Sequence, residues 1–242
     1  MTIDNPVAID SAMLLAAGLG TRMRPLTDDR PKPMIEVGGQ PMIDILLDKL
    51  ADAGVSRAVV NVHYLADMLE THLAARKRPA IAISDERARL LDSGGGVLKA
   101  LPQLGETFFV LNADAIWVDG PRSNLELLIE AWQPDEMDIL LLLAPTTTSV
   151  GWGNRGDFAM DQAGRLRRPR PGEVTPFAYA GAGIWKRELF AAMPERFSLN
   201  RLFDEAIARN RLFGLRLDGW WMHVGTPAAV DEANACIADH VL

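Results

Sequence analysis

Near the start of the chain, Gly18-Leu19-Gly20-Thr21 is followed within a short span by Arg22, Arg24 and Lys32, the last held between Pro31 and Pro33. This combination suits a multiply charged anion. Glycines let backbone N–H groups approach closely because no Cβ stands in the way. Prolines on both sides of Lys32 restrict the backbone that carries it. The reading is a polyphosphate cradle with fixed positive charge. The dinucleotide fingerprint G-x-G-x-x-G fails at its third glycine, where Met23 stands. The P-loop pattern fails as well, since no Lys-Ser/Thr pair follows Gly20. A plain strand-to-helix turn with solvated basic residues accounts for the glycines, but not for Arg22, Arg24 and Lys32 in one span.

Three more places carry candidate chemistry. Asn112-Ala113-Asp114 follows the apolar run Thr107 to Leu111, which puts a carboxylate at a strand's carboxyl end, where it could hold a divalent cation against phosphates. A turn or helix-cap role for Asp114 is the competing reading, because Asp119-Gly120 marks a turn nearby. Asp92-Ser93-Gly94-Gly95-Gly96 precedes a helix expected over Val97 to Leu101, so its glycines would admit a flat ligand and leave helix N–H groups free for that ligand's edge; a flexible loop is the alternative. His63 ends a strand, where ligands tend to bind in open α/β sheets, although a lone histidine there is more often packed or solvent-facing.

Alternating strands and helices must position these residues. Apolar runs at Ala12–Ala16, Val59–Val62, Ile81–Ile83, Thr107–Leu111 and Ile139–Leu143 read as strands. Helical spacing marks Met42–Ala53, Ala66–Ala75, Leu125–Trp132 and Leu199–Ala208. A hairpin is expected around Asp161-Gln162-Ala163-Gly164, then a strand over Phe177–Trp185 and a closing helix to His240. The order predicts an α/β fold of three layers, with a Rossmann-like central sheet between helices. Residues 1–10 show no periodicity and read as a flexible lead-in to a single domain over 1–242.

Composition narrows the function. With a formal net charge of −7, a broad nucleic-acid footprint is not expected, so anion-binding charge must be local. Cys236 is the only cysteine, which rules out an intrachain disulfide and fits a reducing compartment. No apolar run approaches the roughly 20 residues that span a bilayer, and no basic residue precedes Arg22 as in a secretory signal. A cytoplasmic protein without membrane partners is expected.

The run LAAGLGTRMRPLT followed by PKPM closely resembles the signature of sugar-1-phosphate nucleotidyltransferases. The resemblance extends over nearly the whole chain and implies the GT-A-like nucleotide-diphospho-sugar transferase fold, with a mixed central sheet. It implies that Ala16, Ala17, Gly18, Gly20, Thr21 and Arg22 hold the nucleotide and that Lys32 contacts the reacting phosphates. Asp114 would be a catalytic metal ligand, Gly95 would lie against the base, and Asn112 and Gly181 would border the sugar. Arg168, before Pro169, stands near a lysine that touches the sugar phosphate in many relatives; a solvated basic loop is the other reading. The Asp-Ser-Gly-Gly-Gly wording is similar to that of N-acetylmuramate-1-phosphate uridylyltransferases, which favours UTP and a role in peptidoglycan recycling over a mannose- or heptose-1-phosphate guanylyltransferase.

The chain departs from the family's Trp-x-Asp-x-Gly-Thr motif by carrying His223 where the second metal-binding aspartate is expected. Mg²⁺ is the implied cofactor, yet imidazole suits Mn²⁺ better. His223 could bind a softer ion, act through water or contact phosphate, with Asp218 a candidate to compensate. A catalytically silent regulatory subunit that binds nucleotide sugars is the alternative from another class. The expected partners are a nucleoside triphosphate and a sugar-1-phosphate, and the protein is read as a monomer or homodimer.

Overall fold

Leucine- and valine-rich runs with no polar alternation need apolar cover on both faces, and a parallel sheet flanked by helices provides it. The computed structural model describes residues 9–240 except 154. Its strands are β1 (Ser11–Leu15), β2 (Glu36–Val37), β3 (Gln40–Pro41), β4 (Arg57–Val62), β5 (Ala80–Asp85), β6 (Thr107–Asn112), β7 (Ala115–Asp119), β8 (Ile139–Pro145), β9 (Ala159–Met160), β10 (Leu166–Arg167), β11 (Phe177–Lys186), β12 (Leu212–Arg216) and β13 (Gly219–His223). Its helices are α1 (Met42–Asp52), α2 (Ala66–Leu73), α3 (Asp92–Ala100), α4 (Asn124–Ala131), α5 (Asn200–Ala208) and α6 (Pro227–His240).

Seven strands form the central sheet in the order β12-β8-β11-β6-β1-β4-β5. Neighbours run parallel except at β11, which is antiparallel to both β6 and β8. The sheet is therefore mixed, as expected. Along β1, Ala12 and Leu14 enter one core while Met13 enters the other, with Val60 and Val59 dividing in the same way on β4. Period-2 alternation thus sends apolar groups to both faces. Among the described residues no helix is long and apolar enough to cross a membrane.

The structure differs from the sequence reading at three places. Helix α3 begins at Asp92 and runs through Gly94–Gly96, all three buried, instead of opening after them. A Cβ on Gly94 would collide with the Phe197 ring, and one on Gly95 with the Glu195 carbonyl, so the glycines serve close packing. Ile9 is buried and the Asp10 carbonyl accepts from Ser56 and Arg57 N–H, so the expected lead-in stops short of Ile9; its residues 1–8 lie outside the described residues. Strands β7, β12 and β13 were also unforeseen, although β7 and β13 place the metal-binding candidates.

Candidate active site

At the carboxyl ends of β1, β4 and β6 lies a cavity of about 300 Å³, lined by Ala16, Gly18, Lys32, Asn61, Ser93 and Asp114 among others. Open α/β sheets place ligands at this edge. Here β1 delivers the glycine turn, β4 delivers Asn61, and β6 delivers Asn112 and Asp114.

The turn is built to present N–H groups. Among the described residues, the amides of residues 18–22 donate to no protein acceptor. Gly20 takes the left-handed conformation (φ 64°), and a Cβ there would sit 3.0 Å from Thr27 Cγ2 and 3.2 Å from Lys32 Cβ. Thr27 Oγ1 donates to the Gly20 carbonyl at 2.8 Å, and Tyr64 Oη donates to the Thr27 carbonyl at 2.8 Å, so the turn is braced from behind. At Gly18 a Cβ would meet no protein atom within 4 Å. Packing does not require glycine at that position, and the open space there would admit a ligand close to the backbone. Arg22 is exposed beside the turn, its Nη1 on the same side as His223 Nε2, for both flank Gly225.

Lys32 Nζ donates to Asp114 Oδ2 at 2.8 Å. The two residues are 82 positions apart, and the lysine side chain is only 12% exposed. Burial works to raise the Asp114 carboxyl, but the Lys32 charge and hydrogen bond, helped by His223 and Arg22, leave it below the ordinary carboxylate value. His223 arrives by the β7–β13 ladder, in which it lies opposite Ala115, the residue after Asp114. Val224 N–H then donates to the Asp114 carbonyl at 3.0 Å, so the ladder holds the two candidates together. Burial holds the His223 imidazole below its ordinary value, against the pull of Asp114. Trp152 meets this ring edge-on and Trp221 stacks on it.

Asp218 does not compensate for the missing aspartate. It precedes β13 at the end opposite His223, about 16 Å away at strand rise, and its carboxylate packs against Gly120. Mg²⁺ commonly takes one or two carboxylates, with water and substrate phosphates filling the rest. Among the described residues no group of three or more His, Cys, Asp or Glu side chains forms a cage. Asp114 with His223 fits an ion that arrives with phosphate oxygens.

Sequence reasoning missed two residues. Asn61, 3% exposed, accepts from Ala16 and Ala17 N–H at 2.6 and 3.2 Å and donates to Glu86 Oε1 at 2.7 Å. Glu86, 1% exposed, accepts from Leu91 N–H at 3.0 Å. The signal was present: an asparagine interrupts the apolar run Val59-Val60-Asn61-Val62. The pair locks the phosphate turn to the start of α3. Ala16 and Ala17 consequently line the cavity with their N–H groups already bonded. Gly95, expected against the base, is buried inside α3 with its N–H donating to the Phe197 carbonyl at 3.2 Å, while Asp92 and Ser93 line the cavity. His63 Nδ1 lies 2.8 Å from the Glu86 carbonyl, a packing role.

A second cavity, of about 200 Å³, shares Ser93 and Asn112 with the first and contains Arg168. Gly181 lies behind Asn112 at an irregularity in β11. Its φ of 80° and the 2.7 Å approach of Ala115 to its Cβ position explain the glycine by packing.

Comparison with known proteins agrees with this geometry. A model of the nucleotidyl transferase family matches residues 11–240. An N-acetylmuramate alpha-1-phosphate uridylyltransferase of Caulobacter vibrioides is 47% identical over 234 residues, covering 94% of this chain and 97% of that protein. One from Neisseria meningitidis serogroup B is 32% identical over 230 residues, covering 93% and 96%. Among solved structures, a UDP-glucose pyrophosphorylase complexed with UDP-glucose superposes with a TM-score of 0.80 at 16% identity, covering 96% of this chain and 99% of that one. The inositol-1-phosphate CTP transferase from T. maritima gives a TM-score of 0.73 at 19% identity, covering 97% and 98%. With the family's extent, its fold and a phosphate turn facing Lys32 and Asp114 all present, the chain belongs to the nucleotidyl transferase family, among the sugar-1-phosphate nucleotidyltransferases.

Proposed function

We propose that the protein joins UTP to N-acetylmuramate 1-phosphate, giving the uridine-diphosphate sugar and pyrophosphate, within one catalytic unit over residues 1–242. The observation that carries this reading is the convergence of the open amides of residues 18–22 with the Lys32–Asp114 pair at one strand edge. The choice of substrates rests on the two uridylyltransferase relatives.

In this reaction an oxygen of the sugar phosphate attacks the α-phosphorus of UTP, the bond to the bridging oxygen breaks, and that oxygen leaves with pyrophosphate. A phosphate monoester is largely ionised at neutral pH, its second pKa being about 6, so no general base is required. The residues must neutralise charge and align the reactants. Turn amides and Arg22 take the triphosphate, Lys32 takes the reacting phosphates, and Ser93 with Asn112 borders the passage to the sugar. A divalent ion, Mg²⁺ or Mn²⁺, held by Asp114 and His223 would add positive charge at the α-phosphate. A cytoplasmic enzyme of peptidoglycan recycling accords with these substrates.

The test is pyrophosphate release from UTP, GTP, CTP and dTTP, each paired with N-acetylmuramate 1-phosphate and mannose 1-phosphate. UTP with the muramate is the expected best pair. A preference for GTP with mannose phosphate would replace this reading with a guanylyltransferase, and no turnover with any pair and either ion would leave a silent binding subunit.

A further inference from the structure

The second cavity has a polarity that sugar hydroxyls alone do not explain. Arg168 Cζ lies 4.8 Å from the centre of the Phe158 ring and 5.6 Å from that of Phe203, so its guanidinium is set against two aromatic rings. Its Nε donates to Asp204 Oδ1 and its Nη2 to Asn200 Oδ1, both at 2.8 Å, which leaves Nη1 without a partner among the described residues. Tyr179 lines the same cavity, and its Oη is buried and has no hydrogen-bond partner among the described residues. A buried hydroxyl without a partner is costly and points to an acceptor supplied from outside the chain. Asp157, whose Oδ2 accepts from Tyr179 N–H at 2.8 Å, completes the polar lining.

The reacting phosphate belongs at the other end, beside Lys32 and Asp114. Whatever passes Ser93 and Asn112 into this cavity is the sugar ring and its substituents. A guanidinium held against aromatic rings with an N–H to spare is suited to a carboxylate. Asp157 would repel such a group placed alongside it, whereas Asp204 is already paired with Arg168 and is open to solvent that screens it. The acid therefore lies at the Arg168 end, and Asp157 is left to accept from an amide N–H or hydroxyl of the sugar.

We propose that this cavity selects sugar phosphates that carry a carboxylate, with Arg168 as the specificity-determining cation and Tyr179 Oη as a second donor to the same group. The proposal rests on the uridylyl-transfer reading above and names what recognises the lactyl acid of its sugar.

The experiment compares N-acetylmuramate 1-phosphate with N-acetylglucosamine 1-phosphate, the same sugar phosphate without the lactyl group, on single preparations of wild type, Arg168→Gln, Arg168→Lys and Tyr179→Phe. The readout is the ratio of kcat/KM for the two sugars with UTP, which partial misfolding does not alter. Arg168→Gln should lower that ratio about tenfold or more, as expected for losing a hydrogen bond to a charged group. Arg168→Lys should restore part of it, and Tyr179→Phe should lower it by a smaller factor. Equal losses on both sugars would make Arg168 a phosphate contact, and an unchanged ratio would make it structural; either result overturns the proposal. Calorimetric binding of the two sugar phosphates to the same proteins requires neither UTP nor turnover. A wild-type preference for the lactyl sugar that Arg168→Gln abolishes would uphold the proposal even if uridylyl transfer failed, and equal binding by wild type would overturn it alone.

Discussion

At the level of single residues, the proposed reaction depends on charges placed where phosphate oxygens would arrive. Lys32 is mostly buried and Arg22 is exposed. Replacing Lys32 by alanine should therefore reduce kcat by about 10²–10³, as for losing one preorganised donor at developing charge. Arg22→Ala should act mainly through the KM for UTP. Steady-state kinetics with UTP varied distinguishes the two, and full activity in both variants would remove the phosphate turn from the mechanism. These residues were legible in sequence because the glycine turn, the arginines and the Pro31-Lys32-Pro33 unit are contiguous or nearly so. Asn61 showed only as a polar break in an apolar run and Glu86 not at all, because each acts through partners that only folding brings close: Ala16 and Ala17 for one, Leu91 for the other.

At the level of elements, the strands of the central sheet apart from β12 announced themselves through apolar runs, whereas β7 and β13 did not. Their residues include Asp119, Gly219 and His223 at the ends, and their pairing joins segments about a hundred positions apart. Helix α3 was misread because glycine is a poor helix former, and tertiary packing overrode that propensity. Gly96→Ala shows the conflict. Propensity alone favours alanine by about 1 kcal/mol, yet its Cβ would sit 2.8 Å from Asn61 Nδ2 and 2.9 Å from Glu86 Oε1. Overpacking at such a point costs about 1–3 kcal/mol, so the variant should melt below wild type. A higher melting temperature would show that the Asn61–Glu86 contact yields easily.

For the whole molecule, the two cores on either side of the sheet leave the reacting groups half-buried at one edge, and acidity should act on stability through them. His223 is held below its ordinary value chiefly by burial. Its neutral ring thus contributes stability fully above the unfolded value of about 6.5. That contribution is lost as pH falls through the lower, folded value. Asp114 is also depressed, so its contribution has the same sign but fades only below the ordinary carboxylate range. Thermal melts between about pH 7.5 and 5 should therefore decline in wild type and less steeply in His223→Gln, in line with the imidazole reference value. Identical slopes would show that the ring titrates alike folded and unfolded. The 2.8 Å contact between Lys32 and Asp114 carries one more consequence. Without substrates, the ammonium and the carboxylate satisfy each other, so neither is an unpaired charge in a partly buried place. Nucleotide drawing Lys32 away would free the Asp114 oxygen for a divalent ion, and Asp114 bound to an ion would hold the lysine less tightly. Mg²⁺ should strengthen UTP binding, and UTP should strengthen Mg²⁺ binding by the same factor, because such linkage is reciprocal.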